Sequence, residues 1–499
     1  MDALLKRFRG QAPKETLTNS YPDDDVYPLH AFDDTKTLRG ILIAWTLCFN
    51  DVLDADKLQS SLTELLEIGD WRKLGGRIRL NQAGALEVHV PRTFTKERPA
   101  FSFSNATHDI PIEEHEVAKS LPKPNGSVST WSGPQQTSCL ATRSDAPATL
   151  QDLLADDTPQ ISVHMTSFTN ATLVGLSFPH TMMDVMGQSA LLQAWSLVLS
   201  GRATEVPPVL GAKEDMIRTI TDTIDPNPEP YVLKPKLLQG LGMLKFGARF
   251  GWDMVTGAAV ESRTMCLTKE TMTQLREQAE DDLSASSDGE KAPFVSDGDI
   301  LTAWSMRAVA LSSAPSTRPM TALHAMNARF RLPALANAQG VYLQNMLVPA
   351  YTFLTPELSR GPLGPIALAN REALKQQATE AQVTANLREQ RVLGDPSAMM
   401  CTEPTAVLAS FTDWSKAKIW GVVDFGPAVV KAGKEGKARK NPPGSVLFQH
   451  CTSRRPGTVP RLFVHVLGKD FEGSVWVTMS MVPAAWREIE ASLEVLGRS

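Results

Sequence analysis

Between Leu173 and Gly201 the chain reads LVGLSFPHTMMDVMGQSALLQAWSLVLSG, an apolar strand ending at Phe178-Pro179 and an amphipathic helix that starts near Gly187 and is closed by Gly201. A buried strand turning directly into an apolar helix constrains the fold to an α/β layer architecture. The turn between them carries His180 and Asp184, polar residues at the end of a buried element and facing a crevice, which is where open sheets place ligand sites.

The same grammar recurs along the chain. LRGILIAWTLCF (38–49) reads as a buried strand, and DADKLQSSLTELLEIG follows it as a capped helix with Leu58, Leu62, Leu65 and Leu66 at helical spacing. Gly75-Gly76 precedes alternating Ile78, Leu80 and Leu86, Val88, Val90, which predict short antiparallel strands, and ISVHMTSF and TLVGLSF flank Thr169-Asn170-Ala171 as a hairpin. The Ser, Pro, Gly and Gln-rich stretch 118–148 is expected to be a surface loop. In the second half, helices are expected in TKETMTQLREQAE and SDGDILTAWSMRAVAL and, as one long element, through ALANREALKQQATEAQVTANLREQ. Strands are expected in TALHAMNARF, KIWGVVDF, RLFVHVLG and SVWVTMSM. At 499 residues the chain exceeds one ordinary core, so two domains are predicted. The division expected is 1–205, a Pro-rich crossover over 206–239, and 240–499. Strands that adjoin in sequence favour mixed sheets in two similar layers over a doubly wound parallel sheet.

Composition removes several function classes. A net charge of −5 offers no clustered cationic surface for nucleic acid. No segment has the run of roughly 20 apolar residues that spans a bilayer, and the basic start MDALLKRFRG lacks the apolar core of a signal peptide, so a cytoplasmic protein is expected. Cys48, Cys139, Cys266, Cys401 and Cys451 are odd in number and without a CxxC pair, which fits neither a disulfide framework nor a zinc site.

The spacing H-x-x-x-D occurs twice, at His30/Asp34 and at His180/Asp184, so context decides between them. His30 stands among acidic residues in an N-terminal loop, whereas His180 sits between an apolar strand and an apolar helix, where a partly desolvated imidazole can work. Asp184 has two readings: beside His180 on a helical turn, orienting the ring as triad aspartates do, or facing away and bracing the site through an arginine.

On these residues the chain resembles the BAHD acyltransferases of plants and fungi, whose marks are H-x-x-x-D-G and D-F-G-W-G. Here they stand as His180-Thr-Met-Met-Asp184-Val185 and Asp424-Phe425-Gly426-Pro427-Ala428. Leu74-Gly75-Gly76-Arg77-Ile78 is similar to the family's L-A-G-R-L, Asn327-Ala-Arg329-Phe-Arg331 to its V-R-S-R, and Val341-Tyr342-Leu343-Gln344-Asn345 to its Y-F-G-N. Thr412-Asp413-Trp414 resembles the T-S-W that faces the acceptor.

The resemblance implies a two-domain fold like chloramphenicol acetyltransferase, with mixed sheets and an active-site channel at the domain interface. It implies no resident cofactor, with acyl-CoA as co-substrate and a small hydrophobic secondary metabolite as acceptor; a monomer is expected because two similar halves already form the cleft, and no metal because His180 and Asp184 lack a third ligand of matching spacing. It further implies His180 as general base, an Asp184–Arg329 pair, Thr412 and Trp414 toward the acceptor, and a structural role for Asp424, Phe425, Gly426 and Asn345. Lys431 and Lys434 in a cationic run, and Ser296 at a helix start, are candidate contacts for CoA phosphates. The base follows from chemistry as well: a hydroxyl attacks a thioester poorly at neutral pH unless a neutral imidazole takes its proton. Two rivals stay open. A serine acyl-enzyme has S-x-x-K at Ser415/Lys418 and Ser120/Lys123 in its favour, and a non-catalytic ligand-binding protein is left room by Val185 and Pro427.

Overall fold

The computed structural model of the chain describes residues 21–223, 228–285, 292–314, 316–433, 439–455 and 461–497. A five-stranded sheet runs in the order Phe448–Ser453, Leu42–Phe49, Thr172–Pro179, Ser162–Ser167, Ser102–Thr107. Its pairs are antiparallel except the last, which is parallel. Leu42–Phe49 and Thr172–Pro179 are buried along their whole lengths, which is why both read as continuous apolar runs without alternation. The helices Ala55–Leu65 and Val185–Leu199 pack against each other beside this sheet, and Trp195 Nε1 donates to Ser61 Oγ at 2.9 Å across their contact.

The second sheet has seven strands in the order Leu347–Leu354, Met320–Asn327, Val407–Asp413, Leu462–Lys469, Val475–Met481, Glu261–Leu267, Ser129–Ser132. Two of its pairs are parallel and the others antiparallel. The helices Lys269–Ser284, Asp297–Leu311, Leu363–Gln377 and Pro483–Leu496 form a second core with it through Leu275, Ile300, Trp304, Ile366 and Trp486. Each sheet takes an edge strand from the other half of the chain: Ser129–Ser132 joins the seven-stranded sheet and Phe448–Ser453 the five-stranded one.

Three local expectations change. The stretch 118–148 contributes the strand Ser129–Ser132, because Trp131 stacks on Trp476 with ring centroids 5.6 Å apart and anchors a segment otherwise too polar to hold a fold. KIWGVVDF is not a strand. Lys418 takes a left-handed φ of 50°, a short helix Ile419–Val422 follows, and Trp420 and Phe425 enter the core of the five-stranded sheet. The long helix through residues 367–390 is two helices, Leu363–Gln377 and Glu380–Val392, the second started afresh by the Thr379 side chain accepting from Gln382 N.

Candidate active site

Pro179 ends its strand, and the chain is held there by His180 N donating to Ile41 O at 2.9 Å. Four residues later Asp184 adopts extended backbone and caps the helix Val185–Leu199, its Oδ1 accepting from Met186 N at 3.0 Å and Gly187 N at 3.2 Å. Its Oδ2 accepts from Arg329 Nη1 at 2.6 Å and Met346 N at 3.1 Å. These four donors fill the lone pairs of a buried carboxylate, and none of them belongs to His180. Arg329 is buried too and spends Nη2 on the carbonyls of Tyr342 at 3.0 Å and Gln344 at 2.5 Å. Removing one partner of such a pair leaves an uncompensated buried charge, at a cost of about 3–5 kcal/mol.

The segment carrying Arg329 and Asn345 comes from the second half of the chain and lies directly on the turn. A Cβ at Gly187 would stand 2.4 Å from Leu343 O, so only glycine permits this approach. Gly187 therefore serves the packing of the two halves. Asn345 Nδ2 donates to His180 O at 2.9 Å and to Asp33 Oδ1 at 2.8 Å, and Asn345 N donates to the same Asp33 oxygen at 2.7 Å.

His180 keeps part of its surface accessible, while its Nδ1 is enclosed and has no hydrogen-bond partner. Enclosure pushes the imidazole below its ordinary pKa, opposed by its own backbone carbonyl, Asp184 and Asn345. The ring is therefore neutral at pH 7. Asn345 Oδ1, on the residue whose Nδ2 binds His180 O, is likewise enclosed without a partner, as are Thr181 Oγ1, Arg329 Nε and both polar atoms of the Gln188 amide. Such atoms are rare in a finished core and common where a ligand or water completes the site.

Asp33 and its neighbour Lys73 were not found from the sequence. Lys73 is buried, its Nζ donating to Pro28 O at 3.0 Å and Ala212 O at 2.9 Å. Asp33 stands in HAFDD, where neighbouring acids mask it as a solvated run; the partners that would have revealed it, Lys73 and Asn345, are distant in sequence.

Among the described residues no hydrogen bond or ring contact joins the other candidates to His180. Thr412 pairs with His465 on the adjacent strand of the seven-stranded sheet, and Trp414 is buried with its ring edge-on to His465 at 4.1 Å and to Trp45 at 6.1 Å. Phe425 stacks on Phe49 at 5.4 Å, Asp424 is exposed, and Gly426 N donates to Asp424 Oδ1 at 3.0 Å. Phe49 pairs with Thr172 while Leu42 pairs with Pro179, so this motif is at the far end of the sheet from His180. Seven residue steps at roughly 3.3 Å put it about 23 Å away. Lys431 Nζ donates to Thr169 O at 2.7 Å beyond that same far end, and Lys434 lies outside the described residues. Ser296 caps the helix Asp297–Leu311 in a reciprocal bond with Asp299, and Asp297 is at the same end, so that helix start already carries carboxylates where a phosphate would sit. His30 Nε2 is 2.9 Å from Gly211 O, and Asp34 pairs with Arg39.

Among the described residues no serine hydroxyl is bonded to His180. Ser415 and Lys418 are exposed, and Ser120 Oγ donates to Val117 O at 2.7 Å. No group of three or more His, Cys, Asp or Glu side chains among the described residues is placed to hold a metal, and none of their helices is long and apolar enough to cross a membrane.

The chain as a whole has counterparts among known proteins. The Transferase family model matches residues 146–428. The chain belongs to this family, the BAHD-type acyltransferases, and has their two-domain α/β fold of the chloramphenicol acetyltransferase type. Acetyltransferase pyiB of Pyricularia grisea is 36% identical over 471 residues, 94% of this chain and 93% of its own. O-acetyltransferase PaAT-2 of Phomopsis amygdali is 36% identical over 491 residues, 95% of this chain and 99% of its own. Among solved structures, F. sporotrichioides TRI101 complexed with coenzyme A and T-2 superposes with a TM-score of 0.63 at 16% identity, covering 94% of this chain and 98% of that one. That likeness is one of fold.

Proposed function

We propose that the protein transfers an acetyl group from acetyl-CoA to a hydroxyl of a small hydrophobic metabolite, with His180 as the general base and both substrates bound together. The observation that carries this reading is a partly accessible imidazole at the junction of the two halves, enclosed enough to favour its neutral form, with its neighbouring carboxylate fully occupied by other donors.

Nε2 takes the proton of the acceptor hydroxyl as its oxygen attacks the thioester carbon. The C–S bond then breaks, and the departing thiolate takes the same proton from the imidazolium. No covalent enzyme intermediate is needed, and the absence of a serine bonded to His180 among the described residues favours this over an acyl-serine. Asp184 and Arg329 hold the turn; they touch no reacting atom. Thr412 and Trp414 belong to the acceptor side, and Lys431 and Lys434 to the CoA phosphates, in this reading. Asp424, Phe425 and Gly426 maintain the fold. The named acetyltransferases among the relatives support acetyl as the group moved, and TRI101, solved with coenzyme A, supports CoA as its carrier. Free cysteines, four of them buried, suit the cytoplasm, where we place the reaction.

Incubation of the protein with acetyl-CoA and a library of terpenoid and polyketide alcohols tests it, with thiol release and product mass as readouts. Acceptor-dependent thiol release and a product heavier by one acetyl group are expected. Ligand binding without thiol release across the library would favour a non-catalytic binding protein on the same scaffold.

A further inference from the structure

The base reading leaves open what fixes the imidazole with its lone pair on the usable nitrogen. A neutral histidine has two tautomers, and only the one protonated at Nδ1 presents a basic Nε2. The answer lies in how the hydrogen bonds of Asn345 are distributed.

The two amide hydrogens of Asn345 are both committed, one to Asp33 Oδ1 at 2.8 Å and one to His180 O at 2.9 Å. An oxygen in that position would face a carboxylate and a carbonyl, so the orientation of the amide is dictated by its partners. Asp33 grips the same residue a second time by accepting from its backbone N–H at 2.7 Å. The remaining capacity of the amide is Oδ1, which is enclosed and without a partner. On the residue that Asn345 clasps, the one enclosed side-chain atom without a partner is His180 Nδ1. One is an obligate acceptor; the other is a ring nitrogen that can donate.

We propose, on the basis that His180 is the base, that Asp33 and Asn345 are its positioning residues: Asn345 Oδ1 accepts from His180 Nδ1–H, and Asp33 keeps the amide the right way round, which leaves the lone pair on Nε2.

The surroundings of Asp33 fit the task. It is buried and acts only as an acceptor toward Asn345. Burial raises its carboxyl pKa, and Lys73, Asn345 and His30 oppose that rise. The charged neighbour of the ring itself, Asp184, is spent on Met186, Gly187, Arg329 and Met346. Asp184 therefore has no oxygen left for the ring, and the acceptors that face it are the Asn345 amide and the carbonyl of His180 itself. Three distant parts of the chain must come together for this: the segment before Leu42–Phe49, the turn after Thr172–Pro179, and the segment before Leu347–Leu354.

The test is a long-range proton–nitrogen correlation spectrum of the full chain labelled at histidine, with the His180 signals assigned by their loss in His180→Gln. The wild-type ring is expected to be protonated at Nδ1 and bare at Nε2. Asn345→Ala should give a mixture of tautomers and a kcat lower by about tenfold or more, with KM for acetyl-CoA within about twofold, since a mis-set tautomer impairs the base and not the binding. Asp33→Asn, which frees the amide to turn over, should move the ring toward the Nε2-protonated form. A wild-type ring protonated at Nε2 overturns the proposal, as does Asn345→Ala with an unmixed Nδ1-protonated ring and wild-type kcat. If Asn345→Ala fails to fold, the wild-type spectrum decides alone. His180→Ala measured alongside separates the two readings: unimpaired turnover there removes the base itself, whatever the tautomer.

Discussion

The half-buried setting of His180 was legible in the sequence, since an imidazole between an apolar strand and an apolar helix is partly desolvated, whereas His30 at the same spacing stands among acids. Its support was only partly legible. The sequence left two readings of Asp184, and the geometry turns its carboxylate to Arg329 and the backbone of the opposite half. Asp33 was invisible, because burial of a carboxylate depends on partners that only the folded chain supplies. The residue scale yields a pH prediction with a definite sign. A base works when deprotonated, and enclosure pushes His180 below its ordinary value of about 6.5. The rate kcat/KM for the acceptor should therefore be flat from about pH 6.5 upward to the next ionisation and fall as pH drops below that value. A profile whose acid limb is centred above pH 7 would contradict an enclosed base.

The elements that the sequence rendered correctly were those whose pattern is local: the two buried strands Leu42–Phe49 and Thr172–Pro179, the hairpin, and the capped helices. Those it missed were decided by distant contacts. Ser129–Ser132 becomes a strand because Trp131 meets Trp476, and KIWGVVDF abandons strand form because Trp420 and Phe425 are drawn into the core of the other half. Gly187 shows how one element is fitted to another. Adding a methyl group would place it 2.4 Å from Leu343 O, a backbone atom that cannot simply rotate away. Gly187→Ala should therefore lower stability by about 1–3 kcal/mol, as overpacking does, and reduce turnover as well, because the displaced segment carries Asn345. Thermal melting and thiol release measured on the same preparation check this; an unchanged melting point would show that the two segments are not in tight contact.

At the scale of the whole molecule the exchange of edge strands was not legible at all, because nothing in a strand's own sequence says which sheet it will join. The exchange has a functional consequence: the turn with His180 and the segment with Arg329 and Asn345 belong to different halves, and the strand swaps tie those halves together. The folded molecule also seals two histidines, His450 on an exchanged strand and His465 on an inner strand of the seven-stranded sheet. Burial pushes His450 and His465 down to about 3, so the native state stays unprotonated there while the unfolded chain binds protons from about 6.5 downward. The unfolded state then holds more protons between those values, and stability falls as pH drops through that window, by about 1.4 kcal/mol per pH unit for each histidine. Denaturant unfolding at pH 7 and pH 5 should show this loss, and His465→Gln, which cannot titrate, should lessen it; equal stability at both values would mean that these rings are not sealed. The imidazole at the junction is the centre of the proposed reaction, and its part is measured by the turnover of His180→Ala with acetyl-CoA and an accepted alcohol. The expected result is a loss of at least about two orders of magnitude with an unchanged melting point. Turnover near that of the wild type would contradict it.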